Sequence, residues 1–440
     1  MTTRRNFIRT GAAGIAGLGI ASSLPRTMQA GKPVAPSDKI RIGLIGCNGM
    51  GFVDLSAFLE NPETECIAIC DIDDNPLYKR AAEAEKLQGK KVPNLYKDWR
   101  RLIDNKDIDL VIVGTPDHWH CLPMVSACQA GKDVYCEKPM GYTVEECNLM
   151  VKAARKYNRV VQIGQWQRSD PHWQDAVSFV RSGKLGKIRT VRVFSYQGWC
   201  SSVPVLPDEP TPQGVDYDMW LGPAPSRPFN RNRFHFNFRW FWDYAGGLMT
   251  DWGVHLLDYA LYGMNVQTPR SVTAMGGKFG YPTDAAETPD TLQALYEFDG
   301  FTVLWDHAIG VDDGAYGRNH GVAYVGENGT LVVNRDGWEV IPERIDGGSP
   351  RMEAVLLQKS GGKGLSLHVK NHLACLKSRD VKTNANPEIG AGIATFASLG
   401  NIAYRTRKRL EWNGTAFTND TEANRYLVPH YRAPWTLPQV

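Results

Sequence analysis

Two patterns of apolar and polar residues divide this chain. From Lys39 to Gln165, short continuous apolar runs alternate with longer segments whose apolar residues recur at helical spacing. The runs "KIRIGLIG", "ECIAICD", "DLVIVGTP", "DVYCEKP" and "RVVQIGQ" read as buried strands. The helix after the first of them carries Phe52, Val53, Leu55, Phe58 and Leu59. Thr143 and Glu146 form a capping box that opens another, "VEECNLMVKAARKYN". Buried strands alternating with helices predict an α/β fold built on a doubly wound parallel sheet.

After residue 166 the strands lengthen and the helices thin out. "IRTVRVFSYQG", "SVTAMGGKF", "TLQALYEF", "FTVLWDHAI", "HGVAYVGE" and "TLVVN" predict an α+β region with an open, mainly antiparallel sheet. Asn328-Gly329 marks a hairpin turn. A loop rich in Pro, Trp and Arg interrupts the series at 198–245, and two helices joined by a polar turn follow near the C-terminus. A chain of 440 residues is long for a single core, so two domains are expected, at 38–165 and 166–440.

Residues 1–30 stand outside this scheme. Arg4 and Arg5 precede a small-residue apolar run from Gly11 to Leu24, and a polar exit follows near Ala30. That order reads as a signal peptide resembling a twin-arginine export signal, which places the mature protein in the periplasm or otherwise outside the cytoplasm. The apolar run is shorter than the ~20 residues a bilayer span requires, and no span is expected in the mature protein.

The formal charge of +3 gives no reason to expect nucleic acid as a partner. The nine cysteines sit within apolar runs without regular spacing, the pattern of small buried hydrophobes and not of a disulfide framework. "HWHC" at 118–121 offers zinc donors but lacks a second ligand cluster at suitable spacing, so no metal is expected.

The sharpest local signal is "IRIGLIGCNGMGFVDL". Gly46 and Gly51 occupy the outer positions of the dinucleotide fingerprint G-x-G-x-x-G, and Asn48 replaces the middle glycine. A strand precedes the turn, a helix follows it, and Asp71 ends the second strand twenty residues beyond Gly51. Asparagine is the best non-glycine residue for a position that often needs positive φ. The N–H groups at the helix start, around Asn48, Gly49 and Met50, are expected to hold a pyrophosphate. Asp71 would accept from ribose hydroxyls and repel a 2′-phosphate, which favours NAD over NADP.

With "GTPDHWH" (114–120), "EKPMG" (137–141) and "GGLMTDWGVHLLD" (246–258), the chain resembles the Gfo/Idh/MocA family, the relatives of glucose–fructose oxidoreductase and inositol dehydrogenase. The resemblance covers nearly everything after residue 38 and implies an N-terminal Rossmann domain and a C-terminal α/β domain often used for dimerisation. It implies that Thr115, Pro116 and His120 line the cofactor. Glu137 and Lys138 match the family's E-K-P, whose lysine faces the nicotinamide and the substrate hydroxyl. Asp251 and His255 match its D-x-x-x-H pair at the substrate. Chemically, oxidation of an alcohol needs a group to take the hydroxyl proton, and a lysine whose pKa burial lowers, or a histidine, can serve. Four residues apart, Asp251 and His255 would share one face of a helix.

In the 198–245 loop, Trp199, Trp242 and Arg239 suit a polyhydroxylated substrate. The loop's aromatics, Trp220 and Trp240 among them, serve equally as loop core or as dimer contacts. The expected activity is NAD-dependent oxidation of a carbohydrate hydroxyl. Because free NAD is an intracellular pool, export implies a cofactor held tightly and returned to its starting state in each cycle. Sugar exchange, epimerisation and redox-neutral glycoside cleavage all satisfy that condition. A conventional sugar or polyol dehydrogenase with exchangeable cofactor, and a non-catalytic binding protein, are the alternatives.

Overall fold

In the computed structural model residues 39–440 are described; the segment read as an export signal lies outside the described residues. The first sheet contains six parallel strands: β1 (Ile40–Ile45), β2 (Thr64–Cys70), β3 (Asn94–Tyr96), β4 (Leu110–Val113), β5 (Asp133–Cys136) and β6 (Val161–Ile163). Their spatial order is β3-β2-β1-β4-β5-β6. Every residue of β2, β4, β5 and β6 is buried, because helices cover both faces. On one face Leu44, Ile112 and Tyr135 pack with Leu55 and Phe58 of helix Met50–Leu59. On the other, Val111, Val113 and Val134 pack with Met124 and Met150 of the helices Cys121–Gln129 and Val144–Lys156. The capping box at Thr143 and Glu146 is formed in both directions.

The second sheet has nine strands: β7 (Thr190–Gln197), β8 (Ser271–Gly277), β9 (Thr291–Phe298), β10 (Phe301–Ile309), β11 (His320–Val325), β12 (Gly329–Asn334), β13 (Gly337–Pro342), β14 (Val355–Lys359) and β15 (Leu410–Glu411). They run in the order β14-β13-β12-β11-β7-β10-β9-β8-β15, and only β7 and β10 pair in parallel. The hairpin at Asn328-Gly329 joins β11 to β12. Helices Pro171–Arg181, Gly253–Met264 and Pro387–Thr406 cover one face with Trp173, Leu256, Leu257 and Phe396. The opposite face carries no helix of this group.

Two segments return to the first sheet. Helix Gly364–Ser378 adds Val369, Leu373 and Leu376 to the cluster around Phe58. The C-terminal tail lays Trp435 against Trp119, ring centroids 4.9 Å apart, and its Tyr431 hydroxyl donates to Glu146. Within the 198–245 loop Trp220 and Trp240 are buried with Tyr217, Phe229 and Tyr244, so these two tryptophans are loop core.

Candidate active site

A crevice opens where the order of the first sheet reverses. β1 and β4 are neighbours whose successors lie on opposite sides, so the loops at their carboxyl ends part. Gly46 follows β1 with φ +78°, Gly114 follows β4, and both meet Gly51 in the first turn of the next helix. A Cβ on Gly51 would lie 2.1 Å from the Gly46 carbonyl oxygen, and one on Gly114 would lie 2.5 Å from the Gly51 Cα. The glycines therefore permit a close approach of strand, strand and helix that any side chain would block. No side chain caps the helix, so its first N–H groups face the crevice free.

Asn48 departs from the expectation of positive φ. The left-handed conformation belongs to its neighbour Gly49, at φ +51°. The turn has moved its special residue one place along the chain, so asparagine is tolerated without strain. Asn48 is exposed at the crevice mouth, and its Oδ1 accepts from Arg80 Nη2 at 3.1 Å. Met50 also lines the crevice. Asp71 does so at the end of β2, accepting from the backbone N–H of Cys47 at 2.9 Å and of Asp73 at 3.1 Å. These bonds fix the carboxylate and leave lone pairs for a further donor.

Thr115 and Pro116 form the wall beyond β4, and the Thr115 hydroxyl is buried with no partner among the described residues. His120 does not line the crevice. Its Nδ1 lies 2.7 Å from the Pro139 carbonyl and its Nε2 lies 2.8 Å from that of Thr115. Its ring braces two crevice loops from behind, and burial lowers its pKa against the raising effect of both carbonyls. Glu137 is buried over Gly164, where a Cβ would fall 2.1 Å from Oε1. Burial pushes the Glu137 carboxyl up to about 7, and the Asp54 carboxyl beside it rises well above its ordinary value for the same reason.

The charged centre is a chain of three groups. Lys138 Nζ donates to Asp251 Oδ1 at 2.9 Å and to the Asp251 carbonyl at 3.0 Å. Asp251 Oδ2 accepts from Arg239 Nη1 at 2.8 Å. Burial pushes the Asp251 carboxyl up, but the Arg239 and Lys138 cations outweigh it and hold the group well below the usual carboxylate range. An ammonium has three N–H donors, and Lys138 has committed two of them.

Asp251 and His255 do not share one uninterrupted helix. Asp251 ends the short helix Gly247–Asp251, and His255 lies in the first turn of Gly253–Met264. They make no hydrogen bond to each other. His255 is buried between Trp166 and Trp252, outside the crevice lining, with Nδ1 unpartnered among the described residues; burial and the Lys138 charge keep the ring neutral.

Of the three loop residues expected at the substrate, only Arg239 lines the crevice. Trp199 is exposed at the rim, its ring 6.1 Å from that of Phe236, which does line it. Trp242 belongs to a different cavity. In their place the crevice brings Phe236, Phe238 and Asp117. Asp117 lies in the turn Asp117–Trp119 and has no side-chain hydrogen bond; burial pushes its carboxyl up to about 7. It stands inside the quoted stretch "GTPDHWH", where an acid beside two histidines was the available signal. The chemistry of this crevice fits a dinucleotide. The glycine contact, the free helix start, the fixed Asp71 carboxylate and the orphan Thr115 hydroxyl are all groups such a ligand would satisfy.

Comparison with known proteins agrees. "Oxidoreductase family, NAD-binding Rossmann fold" matches residues 40–165, and "Oxidoreductase family, C-terminal alpha/beta domain" matches residues 173–330. A "Glycosyl hydrolase family 109 protein" of Shewanella baltica (strain OS155 / ATCC BAA-1091) is 32% identical over 202 residues, which are 42% of this chain and 44% of that protein. The chain thus spans less than half the length of that relative. Among solved structures, a levoglucosan dehydrogenase in complex with NADH and levoglucosan shares the fold with a TM-score of 0.61 at 20% identity, over 85% of this chain and 99% of that one. An aldose–aldose oxidoreductase from Caulobacter crescentus, complexed with glycerol, gives a TM-score of 0.60 at 22% identity, over 85% of this chain and 100% of that one.

Proposed function

The chain belongs to the Gfo/Idh/MocA family of NAD-binding oxidoreductases, and from that premise we propose that it oxidises a carbohydrate hydroxyl with an NAD that stays in the crevice and is restored in each cycle. The observation that carries this reading is the Lys138 ammonium, held by Asp251, whose other carboxylate oxygen Arg239 grips, with one donor left over. Sugar chemistry is supported by the relatives, whose names include a glycosyl hydrolase, a levoglucosan dehydrogenase and an aldose–aldose oxidoreductase.

Residues at the helix start, Asn48, Gly49 and Met50, would hold the pyrophosphate, Asp71 the adenosine ribose, and Thr115 and Pro116 the nicotinamide side. When bound, NAD supplies a two-electron acceptor and donor. The rest of the work falls to the protein. Lys138, already paired with a carboxylate, acts as a hydrogen-bond donor that steadies the substrate oxygen as its negative charge grows. The hydroxyl proton passes to an acceptor nearby. Asp117, which lines the crevice, offers a carboxylate that ionises near neutral pH.

Retention of the cofactor follows from the export signal read at residues 1–30, since an exported enzyme has no free NAD pool to draw on. The same family membership supports a homodimer formed through the open face of the nine-stranded sheet. Denaturing the purified mature protein and identifying the released nucleotide tests retention directly. One NAD or NADH per chain is expected. An empty protein that turns over a sugar only with added NAD would leave a conventional dehydrogenase in its place.

A further inference from the structure

A cavity of ≈ 640 Å³ lies on the other side of the turn Asp117–Trp119 and shares no lining residue with the crevice. The partition is one residue thick in two places. Asp117 and Trp119 face the crevice while His118 between them lines the cavity; Asp251 faces the crevice and Thr250 the cavity. We propose that this cavity is a second binding site, for a small polyhydroxylated carboxylate such as a sugar acid.

Three of its side chains lack partners that such a ligand supplies. The Arg405 guanidinium lies between two rings, 4.8 Å from the centroid of Trp242 and 4.3 Å from that of Tyr426. It is exposed to solvent, and it makes no salt bridge and donates no hydrogen bond among the described residues. The other charges nearby are matched: Asp243 with Arg227, Lys408 with Asp420, and Arg425 with Glu422. A planar cation held by aromatic faces and left without an anion suits a carboxylate, which it can grip with two parallel N–H bonds.

The other two groups are buried acceptors. His118 is 2% exposed; its Nε2 lies 3.1 Å from the Trp220 carbonyl and therefore carries the proton. Burial pushes its pKa down to about 4, so the ring is neutral and Nδ1 is an acceptor without a partner among the described residues. Asn401 donates through Nδ2 to the Gly246 carbonyl at 2.8 Å, and its Oδ1 is likewise unpartnered. A buried acceptor left empty is costly, and hydroxyl groups are the donors that fill two of them at once. The carboxylate side of the ligand is thus assigned to Arg405, and its hydroxyls to His118 and Asn401.

Calorimetric titration of the full-length protein with D-glucuronate, D-glucose and acetate tests this site. Glucuronate should bind once per chain, and more tightly than either glucose or acetate. Arg405→Gln should weaken it by about 10-fold or more, with Arg405→Lys intermediate because it keeps the charge but loses the fork. Neither change should alter cofactor binding or melting temperature. Lys138→Ala should leave glucuronate binding intact, which separates this site from the crevice and from the fate of the catalytic reading. Equal affinity in Arg405→Gln, loss of binding in Lys138→Ala, equal binding of glucose, or no heat with any ligand would each overturn the proposal.

Discussion

In the six-stranded sheet every residue of β2, β4, β5 and β6 is buried, whereas along β9 of the nine-stranded sheet buried and exposed residues alternate. The contrast follows from what covers each sheet. Helices on both faces of the first leave only strand ends for chemistry, and Gly46, Asp71, Thr115 and Lys138 all lie just beyond strand ends. The second sheet has helices on one face, and its other face shows Met275 at 77% and Leu295 at 43% exposure. A doubly covered sheet concentrates function at a rim; a singly covered one offers a surface. Substitutions at the rim should therefore remove chemistry and spare assembly, and substitutions on the open face should do the reverse.

The largest effect is expected at Lys138. Lys138→Ala removes the donor for the substrate oxygen and should lower turnover by about 1,000-fold. It also strips one cation from the buried Asp251, though Arg239 still holds that carboxylate at 2.8 Å. The fold and the cofactor should survive, as judged by melting temperature and bound nucleotide. A variant that unfolds would make Lys138 a structural ion pair and erase the distinction between rim and surface.

How far the sequence disclosed this site follows the same division. The strands of the first sheet are legible as apolar runs except β3, Asn94–Tyr96, whose residues are only partly buried and form no such run. In the second region β13, β14 and β15 escaped notice because they are short, broken by Gly and Pro, or exposed. The glycine turn and the E-K-P lysine depend on local sequence, and both lie at the crevice. His120, Trp242 and Asp117 depend on which way a side chain faces once distant loops meet, and spacing carries no record of that. Asp251 and His255 were read as one helical face because nothing in "TDWGVH" announces the break at Trp252.

Asp117 gives the next effect, expressed through pH. Its carboxyl rises from the ordinary 3.8 to about 7 in the folded protein, chiefly through burial. Between those values the folded state binds more protons than the unfolded state, so this group's contribution to stability falls as pH rises across that window and is level above it. As a proton acceptor Asp117 must be ionised, so turnover should climb with pH up to about 7. Asp117→Asn should flatten that limb, lower the plateau rate by about 10- to 100-fold, and reduce the loss of stability on going from pH 4 to pH 7. An unchanged pH profile would remove Asp117 from the acceptor role.

The smallest effect on chemistry, and the clearest on assembly, is expected on the open face. Leu295 lies in β9 opposite Leu304 of β10 and Thr273 of β8, near the middle of the exposed surface. Its neighbours on that face include Glu297, Gln293 and Asp306, with Gln293 Nε2 donating to Asp306 Oδ1 at 2.7 Å. Leu295→Glu replaces an apolar contact with a negative charge among existing acids. In a two-fold interface the same patch occurs on both partners, so the repulsion is felt twice. Sedimentation should show self-association weakened by about 100-fold, while the monomer's stability changes by about 0.5 kcal/mol or less because the side chain is half-exposed. Turnover should stay within about two-fold, since no crevice residue comes from this face. If the mass in solution does not change, the partner copy sits elsewhere, and the open face must be assigned another role.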